Sequence, residues 1–413
     1  MTQRITIVGA GQAAAQAIET LHKRGHTGLI TLIGDEGLLP YQRPPLSKKF
    51  LAGTLDRDRL FIRHAAHYLD HGIDLRLGFP AVRLDRTQRR VEIADGTSVE
   101  YDALLLATGS HPRLLPLPGA ELAGVHYLRS VADVDRLRAE LAPGRRGVII
   151  GGGYIGLEVA ATCREAGLEV TVLEAAERVM NRVVSPAVSA FYEAEHARHG
   201  VRVLCGTRIE ALVPENGDRS ISGTERVAAV RLDDGHEVPA DFVLVAIGVA
   251  PTDALARAAG IDCDNGILVD EYCRTTDAHI WAAGDCARHP SIHYGMRVRL
   301  ESVDNAFEQG ASAALNMLGI TTVHDKVPWF WSDQFDLKMV IVGLSTAHDE
   351  VVLRGDPASR AFSVCYLRDG ELIAVETVNH VKDQMAARKL IPARARPDLA
   401  KLADPAVALK DAL

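Results

Sequence analysis

The sequence VIIGGGYIGLE, residues Val148–Glu158, decides the fold of this chain. Its apolar beginning is typical of a buried parallel strand, and a helical pattern follows the glycines to about Ala166. Gly151, Gly153 and Gly156 have the spacing G-x-G-x-x-G, which supplies a tight turn, a close approach to a pyrophosphate and close packing of helix on strand. The helix start would offer free N–H groups to the phosphates. The stretch therefore predicts a dinucleotide site.

A second strand and an acidic residue complete this motif. Glu169–Leu173 reads as a strand, and Glu174 follows about 20 residues after Gly151, where a carboxylate accepts hydrogen bonds from an adenosine ribose. A 2′-phosphate would meet the same carboxylate, so Glu174 favours NADH over NADPH. Arg178 weakens this preference, because arginines near that position bind 2′-phosphates.

The same device occurs earlier in the chain. Ile5–Val8 reads as a strand, and Gly9-Ala10-Gly11-Gln12-Ala13-Ala14 follows it, with Ala14 in the third glycine place. Leu29–Ile33 then leads to Asp35 and Glu36. Two such folds in one chain predict two bound dinucleotides, and the alternative is a duplicated scaffold with one inactive site.

Each predicted nucleotide fold is followed by a β-rich excursion and an apolar strand that ends in glycine. The first such strand runs into Thr108-Gly109, and the second runs from Phe242 to Gly248. This repeat places the second nucleotide domain, residues 112–242, as an insertion within the first, residues 1–111 and 243–322. Residues 323–413 change in composition and read as a small domain of antiparallel sheet and helix. The predicted class is α/β, with two Rossmann-like domains of the glutathione reductase type and a C-terminal α+β domain.

Composition narrows the function classes. Of the 413 residues, 47% are hydrophobic and 24% are charged, which is ordinary for a globular protein. The net charge of −8 gives no support to nucleic-acid binding. No apolar run approaches the roughly 20 residues of a membrane span, and the first strand begins too early for a targeting peptide. We therefore expect a soluble, cytoplasmic protein.

The cysteines, the candidate helix caps, Asp285 and Trp331 are the remaining informative features of the sequence. The six cysteines show no metal-ligand spacing, and no metal site is predicted. Ser47 is a candidate cap for a helix beginning near Lys48, and Ser302 or Asp304 for a helix reaching about Met317. Asp285 ends a strand, where open α/β sheets bind ligands. Trp331 is expected to be partly exposed.

Taken together, these stretches resemble the NADH-dependent ferredoxin reductases of bacterial oxygenase systems, of the putidaredoxin reductase type. The resemblance covers essentially the whole chain and rests on Pro44–Lys48, Gly151–Glu158, Ala283–Asp285, Glu301–Val303 and Phe330–Gln334. It implies FAD in the first domain and NADH in the inserted one. It also implies hydride transfer from NADH to FAD and single-electron transfer to a 2Fe-2S ferredoxin that supplies a cytochrome P-450 or a ring-hydroxylating dioxygenase.

The resemblance also assigns residues to these roles. Lys48, Glu158 and Trp331 are expected at the reacting edge of the flavin, where Lys48 and Glu158 pair to position the nicotinamide without acting as an acid–base couple. The predicted FAD contacts are Gly9, Gly11, Ala13, Ala14, Asp35, Lys48, Val82, Thr108, Gly109, Arg129, Asp285 and Val303. The predicted NADH contacts are Gly151, Gly153, Ile155, Gly156, Glu174 and Gly248.

An acidic ferredoxin requires a local basic face on a negatively charged reductase. The run His380–Arg396 is rich in Lys and Arg and holds one acidic residue, Asp383. The predicted docking face consists of Lys338, Arg388, Lys389 and Lys410, and the alternative is a solvated helix face that binds nothing. Other readings of the whole chain are a rubredoxin reductase, an NADH oxidase, and a redox-signalling flavoprotein similar to apoptosis-inducing factor.

Overall fold

The computed structural model describes residues 3–215 and 225–413. The chain forms two compact units, each assembled from three segments. The first unit contains the residues through Gln42, Arg57–His111 and Ala250–Phe330. The second unit contains Arg43–Asp56, Pro112–Val249 and Trp331–Leu413.

The first unit is built on a parallel sheet of five strands. Their spatial order is Ile280–Ala282, Ala103–Leu106, Ile5–Val8, Ile30–Gly34 and Asp74–Leu77. The three central strands are buried along their whole length, as expected when helices cover both faces of such a sheet. Two three-stranded sheets accompany it, one of Ala81–Asp85, Arg90–Ile93 and Ser98–Glu100, the other of Ile267–Leu268, Ala287–Ser291 and Met296–Val298.

The helices of the first unit include two long ones that pack closely on each other. The α-helices are Gln12–Lys23, Ala65–Asp70, Ala254–Ala258 and Val303–Met317, and Arg57–Leu60 is a 3-10 helix. A Cβ atom on Gly310 would lie 2.5 Å from the carbonyl oxygen of Ala13, so the close approach of the two long helices requires glycine there. Ser302 is confirmed as the N-cap, because its Oγ accepts a hydrogen bond from the backbone N–H of Asn305 at 3.1 Å.

The second unit contains another parallel sheet of five strands. Their order is Val201–Leu204, Glu169–Leu173, Arg146–Ile150, Phe242–Val245 and Val125–His126. An antiparallel sheet of Ile209–Pro214, Val227–Leu232 and Glu237–Pro239 lies in the chain between strands Val201–Leu204 and Phe242–Val245. The C-terminal sheet has the order Trp329–Gln334, Leu337–Gly343, Glu371–Val378, Phe362–Arg368 and Glu350–Arg354.

The α-helices of the second unit are Val131–Arg138, Tyr154–Glu165, Pro186–Arg198, Val381–Leu390 and Leu399–Ala403. Its 3-10 helices are Pro44–Ser47, Pro357–Ser359 and Leu409–Asp411. The short strands Ser110–Pro112 and Val249–Pro251 include points at which the chain passes between the units.

Two local features differ from the sequence-based expectations. The helix predicted to begin near Lys48 is wrong: Pro44–Ser47 form a 3-10 helix and turns follow, with Pro45 O accepting from the N–H groups of Lys48 and Phe50. The predicted return to the first domain was residue 243. Strand Phe242–Val245 instead pairs with Gly147–Ile150 in the second unit, and the first unit resumes at Ala250.

Candidate functional site

In the first unit, the carboxyl ends of the parallel strands bring predicted FAD-binding residues to one edge of the sheet. Strands in a parallel sheet all end on the same side, which is where such sheets bind ligands. The residues that follow the four strands Ile5–Val8, Ile30–Gly34, Ala103–Leu106 and Ile280–Ala282 at this edge are Gly9, Gly11, Asp35, Thr108, Gly109 and Asp285.

The glycines of the first motif leave open space at the start of a helix. Gly9 has a φ of +109°, and a Cβ atom on it would lie 2.1 Å from the carbonyl oxygen of Ala107, so the turn requires glycine. Gly11 caps the helix that begins at Gln12, and a Cβ atom there would meet no atom within 4 Å. Ala14, in the third motif place, is fully buried. This open space at a helix N-terminus fits a pyrophosphate group.

Asp285 is held in a fixed position by its neighbours. Its Oδ2 accepts a hydrogen bond from Ser110 Oγ at 2.7 Å, and its backbone oxygen accepts one from Arg299 Nη1 at 3.2 Å. The other residues predicted for FAD in this unit are the buried Ala13, the exposed Val82 and the half-buried Val303, which opens the helix Val303–Met317. A carboxylate fixed at the sheet edge suits a hydroxyl-bearing ligand.

The second unit repeats this arrangement. Gly151 has a φ of +107°, and a Cβ atom on it would lie 2.4 Å from Ala246 O. A Cβ atom on Gly156 would lie 2.1 Å from Gly151 O, whereas one on Gly153 would meet nothing within 4 Å. Gly156 therefore allows helix and strand to pack, and Gly153 leaves room for a phosphate. Ile155 and Gly248, the other predicted contacts at this edge, are exposed.

Glu174 lies directly after strand Glu169–Leu173, at the edge that holds this motif. Its Oε2 accepts a hydrogen bond from Gly152 N at 2.7 Å, and its Oε1 accepts one from Ala176 N at 2.8 Å. Arg178 is engaged elsewhere: Nη1 donates to Val184 O at 2.9 Å and to Ser189 Oγ at 2.6 Å. The carboxylate is thus oriented by the glycine-rich turn, while the arginine is bound to the end of its own loop and to the helix Pro186–Arg198.

An ion pair joins the half-buried Lys48 to the buried Glu158 in the second unit. Lys48 Nζ lies 2.6 Å from Glu158 Oε2, and the Glu158 side chain is only 5% exposed. Ser47 Oγ donates to the same oxygen at 2.5 Å, and Ser332 Oγ donates to Oε1 at 2.7 Å. Buried charges are costly unless they are paired and hydrogen-bonded, and here both conditions are met. The pair predicted from the sequence is therefore present in this structure.

The sequence did not predict the rest of this network. Gln334 Nε2 donates to Ser332 Oγ at 3.2 Å, and Gln334 Oε1 lies 2.9 Å from His196 Nε2. Burial lowers the pKa of His196 to about 4, so the ring is neutral near pH 7 and Nε2–H donates to Gln334. The available signal was the alternation in Trp331–Gln334, which places Ser332 and Gln334 on one face of a strand.

The remaining predicted residues of the second unit lie as follows. Trp331 is half-buried on the strand that carries Ser332. Arg129 is also half-buried, and its backbone oxygen accepts a hydrogen bond from Arg43 Nη1 at 2.6 Å. That Trp331 lies at the flavin and that Arg129 contacts FAD both stay predictions.

The predicted docking residues occupy the C-terminal part of the second unit. Lys338, Lys389 and Lys410 are exposed, and Arg388 is half-buried. Asp383 is buried, and its Oδ2 accepts a hydrogen bond from Arg354 Nε at 2.8 Å. The acidic residue of this run is therefore turned inward and neutralised, which leaves the exposed surface of the helix Val381–Leu390 positively charged.

The described part of the chain has further features that bear on chemistry. All six cysteines lie within it and are free thiols, and burial raises the pKa of Cys163 and Cys365 to about 12. Within residues 3–215 and 225–413, no cluster of His, Cys, Asp or Glu is arranged to hold a metal ion. Over the same ranges, no helix combines the length and apolarity needed to cross a membrane.

Comparison with known proteins finds two family profiles that together match nearly the whole chain. The family profile described as pyridine nucleotide-disulphide oxidoreductase matches residues 3–310, and the profile described as reductase C-terminal matches residues 329–413. Rhodocoxin reductase of Rhodococcus erythropolis is 45% identical over 94% of this chain and 89% of its own length. The ferredoxin–NAD(+) reductase component of the anthranilate 1,2-dioxygenase system of Burkholderia cepacia is 43% identical over 98% of both chains.

Solved structures give the same picture. The reductase in the covalent putidaredoxin reductase–putidaredoxin complex superposes with a TM-score of 0.94 at 39% identity, covering 99% of this chain and 97% of that chain. The similarity extends through both nucleotide motifs and the C-terminal sheet.

Proposed function

This chain belongs to the pyridine nucleotide-disulphide oxidoreductase family, and we propose that it is an NADH-dependent ferredoxin reductase supplying a cytochrome P-450 or a ring-hydroxylating dioxygenase. The observation that carries this proposal is the pair of parallel sheets, each with a glycine opening at a helix N-terminus and acidic residues at the same edge. Enzymes of this family use FAD and NAD(P)H. The cytoplasm is the proposed location, because NADH is the proposed donor.

Bound FAD supplies the chemistry that converts a two-electron hydride into two single electrons. The protein supplies binding and charge. Gly9, Gly11 and the start of helix Gln12–Lys23 would hold the FAD pyrophosphate, and Asp285 would bind hydroxyl groups of the same cofactor. Gly151, Gly153 and Glu174 would hold NADH, with the bound position of Arg178 supporting NADH over NADPH.

The proposed roles of Lys48 and Glu158 follow from their pairing. Both charges are compensated, so the pair would present a neutral, rigid wall to the nicotinamide. Hydride transfer needs no general base, and we assign neither residue a proton-transfer role. Trp331 would contact the flavin ring, and Val82, Val303 and Arg129 would complete the FAD site.

Anaerobic rapid mixing tests this function. The purified protein, loaded with FAD, should lose its yellow colour on mixing with NADH and then reduce a 2Fe-2S ferredoxin. Rubredoxin and oxygen serve as competing acceptors in parallel reactions. A faster reaction with either would replace the ferredoxin proposal by a rubredoxin reductase or an NADH oxidase. A long-lived complex with NADH that passes electrons to no acceptor would favour a signalling flavoprotein.

We propose that the ferredoxin docks on the face formed by Lys338, Arg388, Lys389 and Lys410. Ferredoxins of this class are acidic, and electron-transfer encounters use small interfaces that charge can steer. Because Asp383 is neutralised by Arg354, the exposed side of helix Val381–Leu390 attracts such a partner.

Charge reversal tests this docking face. Lys338→Glu combined with Lys389→Glu should slow ferredoxin reduction by about tenfold at low salt, since steering changes on-rates by roughly 10–10³. NADH-to-ferricyanide turnover should stay within about twofold of wild type. Arg202→Glu, on the exposed part of strand Val201–Leu204, reverses one charge outside the face and should leave both rates unchanged. Equal losses in both assays would reject the docking proposal.

A further inference from the structure

A chain of buried polar side chains in the first unit has no role in the function described so far. His289 and His324 are each 4% exposed, Asn305 is 3% exposed and Gln309 is completely buried. Buried polar groups destabilise a fold unless they are hydrogen-bonded, so such a group of four needs a reason.

Gln309 makes the central contacts of this chain. Its Oε1 accepts hydrogen bonds from Gly284 N at 2.8 Å and from Asn305 Nδ2 at 3.3 Å, and its Nε2 donates to His289 Nδ1 at 3.3 Å. Gly284 directly precedes Asp285, so Gln309 holds the turn that presents the Asp285 carboxylate.

Asn305 connects Gln309 to the start of helix Val303–Met317. It lies in the first turn, where its backbone N–H is capped by Ser302. Its Nδ2 also donates to Leu300 O at 3.3 Å, and its Oδ1 lies 3.3 Å from His324 Nε2. The helix start and the Asp285 turn are therefore tied to the same two amide side chains.

The two histidines fix the direction of these hydrogen bonds. Their rings lie 4.7 Å apart, and burial lowers the pKa of His289 to about 3 and of His324 to about 4. Both rings are therefore neutral near pH 7. His289 Nδ1 accepts from Gln309, and His324 Nε2–H donates to Asn305. Each amide is thus held in one orientation, with oxygen and nitrogen in defined places.

We propose that Gln309, supported by His289 and, through Asn305, by His324, is a positioning residue that fixes Asp285 relative to the start of helix Val303–Met317 and thereby sets the affinity and reduction potential of the flavin. This inference rests on the proposed binding of FAD by the first unit. Asp285 is predicted to bind FAD directly, and the helix start places N–H groups and a positive dipole end beside Val303, which is predicted to do the same.

Two substitutions of Gln309 test the inference. Gln309→Met keeps the length of the side chain but leaves the buried Gly284 N–H without its acceptor. It should weaken FAD binding to the apoprotein by about tenfold and shift the flavin midpoint potential, since a tenfold change in the ratio of affinities for the two redox states is about 30 mV for a two-electron couple. Gln309→Glu keeps an acceptor oxygen in either protonation state and should restore most of the FAD affinity.

Asn316→Leu is the matched control. Asn316 lies on the same helix, and its Nδ2 lies within hydrogen-bonding distance of Tyr272 O, Ser312 O and Thr322 O, at 3.1, 2.8 and 2.7 Å. None of these three residues belongs to the predicted flavin site. This variant should lower the melting temperature while leaving the FAD dissociation constant and the midpoint potential unchanged.

The outcomes separate positioning from general stability. If Gln309→Met loses melting temperature as the control does but keeps wild-type FAD affinity and potential, the inference is overturned. Should that variant fail to fold, His324→Phe takes its place, because it keeps a ring beside His289 and removes only the donor to Asn305. Weaker FAD binding and a shifted potential in His324→Phe would support the inference, and wild-type values would overturn it. A wild-type protein that binds no FAD would instead reject the proposed function.

Discussion

Glu158 shows at the scale of single residues how this protein places charge. Its carboxylate accepts hydrogen bonds from Ser47, Lys48 and Ser332, which come from two distant parts of the sequence. These three donors orient the carboxylate, and it supplies the counter-charge for the lysine beside it. The arrangement fixes two side chains in place, which supports the positioning role proposed for them.

Replacing Glu158 separates positioning from proton transfer. Glu158→Gln keeps the shape and one acceptor oxygen but leaves the Lys48 ammonium without its counter-charge. Flavin reduction by NADH should slow by about tenfold, while its dependence on pH from about 6 to 9 keeps the wild-type form. Stopped-flow measurements across this range provide the check. Ser332→Ala, which removes one donor and keeps the ion pair, is the control. The loss of an ionisation that the wild-type profile shows would contradict the positioning role.

Substitutions of Glu174 and Arg178 should have different effects, the first on the preference for NADH and the second on stability. Glu174→Gln removes the negative charge that a 2′-phosphate would meet, so the preference for NADH over NADPH should narrow by about tenfold, or roughly 1.4 kcal/mol. Arg178→Leu should lower the melting temperature instead, because its guanidinium binds Val184 O and Ser189 Oγ. Steady-state kcat/KM for both coenzymes decides the matter. If Arg178→Leu changes the selectivity between NADH and NADPH more than Glu174→Gln does, then the arginine and not the glutamate determines coenzyme choice.

At the scale of elements, the turn from strand Arg146–Ile150 to helix Tyr154–Glu165 combines two different demands on glycine. Gly156 is required by packing, because a Cβ atom would overlap the carbonyl of Gly151. Gly153 has a negative φ and open space around its missing Cβ, so the fold alone does not require it. The NADH pyrophosphate that we propose for this turn would explain why position 153 has no side chain.

This difference can be measured by placing alanine at each position. Gly153→Ala should change the free energy of unfolding by less than about 1 kcal/mol and raise the KM for NADH by about tenfold, because the methyl group fills the space for the pyrophosphate. Gly156→Ala should destabilise the protein by about 1–3 kcal/mol through overpacking. Thermal unfolding of the free protein and NADH kinetics distinguish the two. An unchanged KM in Gly153→Ala would remove this turn from the NADH site.

The sequence predicted these local elements well because their signals are local. The strand, the glycine turn, the helix and Glu174 follow one another within a short stretch, and Ser302 caps its helix as one of the two candidates proposed. Ser47 was misread as a helix cap, because its hydroxyl hydrogen-bonds to Glu158 and the residues after it lack a helical pattern. The contacts of Ser332, Gln334 and His196 depend on tertiary packing, which spacing along the chain does not reveal.

At the scale of the whole molecule, both units bury neutral histidines. His196 lies in the second unit, and His289 and His324 lie in the first. Burial lowers the pKa of His196 and His324 to about 4 and that of His289 to about 3. In the unfolded chain these histidines have pKa values near 6.5. Below that pH they bind protons in the unfolded chain but stay neutral in the folded protein. Stability therefore falls as the pH drops from about 6.5 towards 4, and these groups have no effect above that range.

The size of this effect can be checked with one variant. At pH 5 each such histidine should lower the free energy of unfolding by about 2 kcal/mol relative to pH 7.5. His196→Gln keeps a donor for Gln334. Between pH 7.5 and pH 5 its free energy of unfolding should fall by about 2 kcal/mol less than that of wild type. The measurement compares the loss in wild type with the loss in His196→Gln. This difference cancels the contribution of Glu376, whose pKa is raised by burial and whose protonation stabilises the folded state as the pH falls. Urea denaturation at both pH values, with the exposed His64→Gln as control, provides the measurement. Parallel losses in wild type and His196→Gln would exclude this origin of acid sensitivity.

The pairing of strand Ile280–Ala282 with Ala103–Leu106 has a consequence for biosynthesis. While the ribosome makes the long inserted segment, the edge of Ala103–Leu106 awaits a partner that has not been translated. Such an apolar edge attracts other chains, so the nascent polypeptide is an expected client of chaperones during this interval. The order in which the units appear in the sequence thus differs from the order in which they can finish folding, and the segment translated in between can complete its own sheet first.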